Sequence, residues 1–124
     1  YNSYYENIIV VEIMSGEKEI KKLETKKPGI VEENGVLWVS GDEYVLRVAA
    51  ALSSPTRIQI LKYIREHEAD VGDVAELIKQ SKANASAQIK RLEEAGLVKT
   101  VYKPGQRGVK KICYTNIREV RIVL

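Results

Sequence analysis

The sequence predicts an α+β fold in which a small N-terminal β segment precedes four short helices and a β-hairpin. Three observations carry this expectation. An Asn34-Gly35 pair stands between two extended β-branched runs, and from Gly41 to Gly96 the apolar period changes from two to that of a helix. Two extended segments then flank a basic turn rich in Pro and Gly. With 124 residues the chain has room for one domain and a short appendage. The expected division is a β extension over residues 1–40, a helical and hairpin domain over 41–115, and the start of a helix or strand over 116–124. At 44% hydrophobic and 30% charged, the chain carries enough apolar material to fold without staples. Its single cysteine, Cys113, excludes an intramolecular disulfide, a cysteine-based zinc cage and a CxxC redox site, and fits a reducing cytoplasm. No apolar run approaches the roughly 20 residues that cross a bilayer, so no membrane partner is expected.

The elements follow in order. Ile8 to Ile13 is a β-branched run, and Val31 to Val39 reads as two strands joined at Asn34-Gly35, residues that tolerate the positive φ of a type I′ turn. Residues 18–27, dense in Lys and Glu, are open between strand, helical turn and linker before Pro28-Gly29 breaks them. Asp42 is expected to cap a first helix to Leu52 with Val45, Val48, Ala49 and Leu52 inward. Ser54 caps a second helix, Pro55 to about His67, whose first position suits proline, with Ile58, Leu61 and Ile64 buried. A third, short helix is expected from Asp73, with Glu76 reaching back in a capping box and Val74, Leu77 and Ile78 inward. Ser81 caps a fourth, Lys82 to Ala95, which buries Ala85, Ile89 and Leu92 and ends at Gly96. Leu97 to Lys103 and Val109 to Thr115 form the hairpin around a tip at Pro104-Gly105-Gln106-Arg107-Gly108. Asn116 to Leu124 alternates as a strand does and also carries helical spacing; it stops in mid-pattern, so the native chain is expected to continue past Leu124. Met14 is a candidate native start. The Lys-, Glu- and Ile-rich composition without Phe is of a thermophilic, archaeal-like kind.

Charge is distributed unevenly. From Lys79 to Lys111 nine basic residues face two acidic ones, a local net of +7, whereas residues 1–78 carry nine basic and fourteen acidic, a net of −5. Lysine-rich faces are often merely solvated, so position decides their meaning. Here the basic segment coincides with the fourth helix and the hairpin. Helix, helix, short helix, longer helix and hairpin is the order of a winged helix-turn-helix, in which the last helix enters a major groove and the wing lies on backbone or minor groove. A helix read against base edges must be small and polar outside. The outer face offers Lys82, Ala83, Asn84, Ser86, Ala87, Gln88, Lys90 and Arg91, with Asn84 and Gln88 suited to adenine. The wing adds Lys103, Gln106, Arg107, Lys110 and Lys111, beside a turn with no carboxylate expected near them.

Two stretches resemble the ArsR-like winged-helix regulators: Ala51 to Leu61, with Ser54-Pro55-Thr56-Arg57, and Gln88 to Val98, with Leu92-Glu93-Glu94-Ala95-Gly96-Leu97-Val98. The resemblance covers about residues 44–114. It implies a dimeric DNA-binding transcription factor, usually a repressor. Many such proteins sense metal through a Cys-x-Cys pair entering the third helix. The matching stretch here, Asp70-Val71-Gly72-Asp73, has no thiol, so no metal and no cofactor are expected.

The remaining residues fit plainer roles. His67 is the lone histidine, at a helix end; Cys113 is expected as a packed residue, and Trp38 and the tyrosines as core or interface. No nucleophile, base and orienter occur together, so no enzyme is expected. The leading expectation is a cytoplasmic, nucleoid-associated homodimer on double-stranded DNA, with residues 82–95 as reading helix and 97–115 as wing. The alternative is a winged-helix protein-interaction or architectural chromatin module without base specificity. For residues 1–40 three roles stand open: pairing across a dimer, covering the winged helix, or binding a partner. Effector, operator and target genes have no signature in the chain.

Overall fold

A computed structural model describes residues 28–124; the expectations for Ile8 to Ile13, Met14 and residues 18–27 lie outside them. The elements are β1 (Gly29–Glu33), β2 (Val36–Ser40), α1 (Asp42–Leu52), α2 (Pro55–Glu66), β3 (Ala69–Asp70), α3 (Val71–Ile78), α4 (Lys82–Glu94), β4 (Lys99–Gly105), β5 (Gly108–Tyr114) and β6 (Glu119–Val123). They form two three-stranded sheets, β1-β2-β6 and β3-β5-β4, around the helices.

The first hairpin turns as the sequence predicts. Asn34 and Gly35 have φ of 52° and 81°, the paired left-handed conformation whose twist matches the flanking strands. The C-terminal stretch resolves to strand: β6 lies parallel to β2, from Val36↔Glu119 to Ser40↔Val123, entered through the Arg118 N–H donating to the Gly35 carbonyl at 2.8 Å. Trp38 and Arg121 are register partners, and the guanidinium stands 4.9 Å from the ring centroid. On the other face of β2, Leu37 and Val39 are buried in one core with Val48, Ile60, Val74, Ile89, Leu92 and Leu97. Covering the winged helix, the second of the open roles, is therefore what β1 and β2 do within the protomer.

The helix starts correct two expectations. Asp42 is the first residue of α1 rather than its cap; the cap is Gly41, at φ 88°, whose carbonyl accepts from Tyr44 and Val45. Leaving β2 requires that left-handed turn, which glycine supplies. Asp42 and Glu43 then face the positive end of the helix dipole. The short helix begins at Val71, not Asp73. Asp70 caps it, accepting from the Asp73 N–H at 2.8 Å, while Asp73 accepts from the Asp70 N–H at 3.0 Å. The reciprocal pair is a capping box moved three residues up the chain, because β3 pairs with β5 through Ala69↔Cys113 and Asp70↔Ile112 and so holds Asp70 extended. The Asp73 N–H chiefly, against partial burial, and then Lys110 hold the Asp70 carboxyl below the usual carboxylate range. Its contribution to stability is therefore complete above that range and is lost as pH falls through the lowered value. Asp70→Ala should cost about 1 kcal/mol at pH 7, with the difference from the parent vanishing in strong acid; denaturant titrations at both pH values check it.

Ser54 and Ser81 cap α2 and α4 as expected, accepting from the N–H groups of Arg57 and Asn84. The buried faces are rotated from the expected ones in α1 and α2. Val48 and Ala51 are inward in α1 while Ala49 is exposed, and Ile60 joins Ile64 inside α2 while Ile58 and Leu61 are only half-buried. In α4 the predicted Ala85, Ile89 and Leu92 are the buried set. Gly96, at φ 76°, ends that helix, with the Leu97 N–H reaching back to the Leu92 carbonyl. A Cβ on Gly96 would stand 2.9 Å from Ile30 Cγ2, which shows how closely β1 covers the end of α4.

The hairpin ladder runs further than the sequence suggests, through Pro104↔Val109 to Gly105↔Gly108. The tip is therefore the two residues Gln106 and Arg107 rather than a five-residue loop. Proline is accommodated because β4 is an edge strand with no partner needing its N–H.

Candidate nucleic-acid interface

The expected reading face is open. Lys82, Ala83, Asn84, Ser86, Ala87, Lys90 and Arg91 are exposed along α4, and Gln88 is half-buried. β1 and β2 leave this strip uncovered, since they meet α4 at its C-terminal end. The Asn84 side chain makes no hydrogen bond among the described residues. Gln88 differs: its Oε1 accepts from Arg57 Nη1 at 2.8 Å. The same guanidinium donates through Nε to the Ala51 carbonyl at 2.8 Å and through Nη2 to the Ala50 carbonyl at 2.9 Å. Arg57 thereby satisfies carbonyls at the end of α1 and ties that end to the outer strip of α4. Neither composition nor spacing pointed to Arg57 as part of the site; its only signal was its place in Pro55-Thr56-Arg57.

The wing divides by face. Register pairs Thr100 with Cys113, Tyr102 with Lys111 and Pro104 with Val109, so these six share one side; Lys99, Val101, Lys103, Lys110, Ile112 and Tyr114 share the other. The first side is turned to α4, because Glu93 of that helix accepts a hydrogen bond from the Thr100 hydroxyl and lies 3.9 Å from the Lys111 ammonium. Tyr102, 68% exposed, and Val109, 70% exposed, stand further out on that side. They were missed in the sequence, although the alternation of the strand could have placed them beside Lys111.

The wing lysines are less free than expected, and the statement that no carboxylate stands near them is corrected. Lys103 lies 2.9 Å from Glu68, Lys110 3.7 Å from Asp70 and, at the wing base, Lys99 2.7 Å from Glu32. The Glu32 hydrogen bond raises the Lys99 pKa above its ordinary value. These acids come from β1 and from the α2–α3 junction, distant in sequence and adjacent in the fold. Lys82, Lys90, Arg91 and Arg107 make no ion pair among the described residues. Gln106 and Arg107 are exposed at the tip.

Cys113 is fully buried beside Ala69, and burial pushes its thiol up to about 11, so it stays protonated and unreactive at neutral pH. The His67 ring lies 4.9 Å from that of Tyr63 at the end of α2. Among the described residues no group of three or more His, Cys, Asp or Glu could hold a metal ion, and no helix is long and apolar enough to cross a membrane.

Three helices in succession, a fourth with an exposed polar strip and a two-stranded wing define a winged helix-turn-helix. The model for bacterial regulatory proteins of the arsR family matches residues 54–100, and over these residues the chain is similar to that family. Among solved structures the chain is similar to the homodimeric winged helix-turn-helix DNA-binding domain of Mb0332 from Mycobacterium bovis, a possible ArsR-family transcriptional regulator. The two are 27% identical with a TM-score of 0.52, over 60% of this chain and 65% of that one. Rv0081 from M. tuberculosis is 26% identical with a TM-score of 0.51, over 62% and 76%. HlyU from Vibrio cholerae shares the fold at 23% identity and a TM-score of 0.50, over 59% and 73%. No curated protein matches. The matched family model is one of regulatory proteins, and the M. bovis domain belongs to a possible transcriptional regulator.

Proposed function

We propose that the chain is a homodimeric, sequence-specific transcription regulator of double-stranded DNA, in which α4 enters the major groove and the Gln106–Arg107 tip lies on the backbone or minor groove. The observation that carries this reading is the split among the basic side chains. All four wing lysines have a carboxylate partner within the protomer, Lys111 through Glu93 and Lys99, Lys103 and Lys110 through Glu32, Glu68 and Asp70, whereas Lys82, Lys90 and Arg91 on α4 and Arg107 at the tip make no ion pair among the described residues and are left for an external polyanion. Dimerisation is supported by the homodimeric state named for the Mycobacterium bovis domain. Two-fold symmetry would set the reading helices about 34 Å apart on successive major-groove turns. A cytoplasmic, nucleoid-associated location follows from the same reading.

A salt titration tests it. These four cations per protomer give about eight neutralised phosphates per dimer, so log affinity should fall with log salt at a slope near −7. Affinity independent of salt would overturn the proposal. Arg107→Ala should weaken all duplexes alike and lower the slope by about two per dimer. Exposed Tyr102 and Val109 favour a second reading, a protein-docking wing. Under it, Tyr102→Ala would abolish partner capture and leave duplex affinity unchanged.

A further inference from the structure

We propose that Gln88 reads its base as a hydrogen-bond donor only, selecting guanine, because Arg57 holds its amide oxygen. This rests on the DNA reading above and revises the adenine contact expected from the sequence. An arginine offers five N–H donors and no acceptor, so the atom of Gln88 that faces it at 2.8 Å has to be the oxygen. The guanidinium cannot swing away easily, since Nε and Nη2 are anchored on the Ala51 and Ala50 carbonyls. The Gln88 amide is thereby turned with its oxygen toward the scaffold and its NH2 toward the exposed strip of α4.

Pairing a glutamine with adenine uses both ends of the amide, the oxygen on N6–H and the nitrogen on N7. With the oxygen drawn to Arg57, the two N–H groups remain. Guanine presents two adjacent acceptors, N7 and O6, in the major groove; thymine presents one, and cytosine presents a donor. The NH2 group therefore favours guanine and rejects cytosine. Asn84, one turn earlier on the same strip with its amide uncommitted, keeps the adenine role. Arg57 acts here as a positioning residue: it touches no base and sets which end of Gln88 does.

Selection from a randomised duplex pool, run on the full chain and on Gln88→Ala, identifies the position that Gln88 reads as the one that loses preference in the variant. The expected base there is guanine. Replacing it with 7-deazaguanine, which lacks the N7 acceptor, should weaken binding about tenfold without any change to the protein. Gln88→Glu keeps the oxygen that Arg57 holds and exchanges the NH2 donor for an acceptor, so the preferred base should switch to cytosine, whose N4 is a donor. A circular dichroism melt confirms that the variant is folded. Adenine at that position, an indifferent response to 7-deazaguanine, or an unchanged preference in Gln88→Glu overturns this inference and leaves the DNA reading intact. Failure of the parent chain to enrich any duplex overturns both.

Discussion

Reversing charge at Lys90 and Arg91 together, to Glu at both, should lower duplex affinity by about 100-fold or more while the protein stays folded. Both side chains are exposed on α4 and make no ion pair among the described residues, so nothing inside the protomer depends on them. Lys, Arg and Glu are near-equal helix formers. A Glu at position 90 would face Glu94 one turn on and meet the negative end of the helix dipole, costs of a few tenths of a kcal/mol each. Against a duplex the balance is different. Each protomer gives up two cations that displace counterions from the phosphates and presents two like charges instead, and like-charge juxtaposition across an interface costs several kcal/mol. The salt slope should also become shallower by about 3.6, since four phosphates per dimer are no longer neutralised. Anisotropy titrations at several salt concentrations, beside a thermal melt, measure both. Unchanged affinity, or a loss matched by collapse of the fold, would remove α4 as the contacting element.

The parts of this molecule that could be read from sequence are those decided within a few residues. Asn34-Gly35, Ser54-Pro55, Ser81 and Gly96 each fix a turn or a helix end through their own conformational range, and each stands where expected. What could not be read depends on a partner far along the chain. Two residues make β3 only because β5 arrives more than forty positions later, and that pairing moves the capping box from Asp73 to Asp70. The parallel seat of β6 beside β2 has the same cause: helical and strand periods compete in residues 116–124 until Trp38 and its neighbours supply an edge. Charge followed the same rule. The +7 of residues 79–111 was countable, but which lysines are free depends on Glu32, Glu68 and Asp70, brought in by the fold. The site was legible as a set of residue types on one helix face, and the orientation of Gln88 was not, since Arg57 lies 31 positions away.

Leu92→Ala should destabilise the fold more than any change to the outer strip, at about 3–4 kcal/mol. Leu92 is fully buried, on the inner face of α4 with Ala85 and Ile89, and Ala95 and Gly96 follow it at the helix end. Several small residues in this part of the helix leave few nearby atoms on it able to fill the space, so most of the cavity should persist, and residual cavity is what places Leu→Ala changes high in their range. The melting temperature should fall by roughly 15–25 °C for a domain of this size, and denaturant unfolding should show a lower midpoint at nearly constant m-value. Leu92→Met, which conserves volume, should cost less than about 1.5 kcal/mol. The comparison with the charge reversal separates the two faces of one helix. Leu92→Ala should lower stability yet leave affinity per folded molecule near the parent value at low temperature; Lys90→Glu with Arg91→Glu should do the opposite. In the proposed reading, Asn84 and Gln88 act outward from the helix that Leu92 anchors inward. A Leu92→Ala protein with parental stability would mean that α4 is not seated on this core, and the outward strip would then have no fixed geometry with which to discriminate bases.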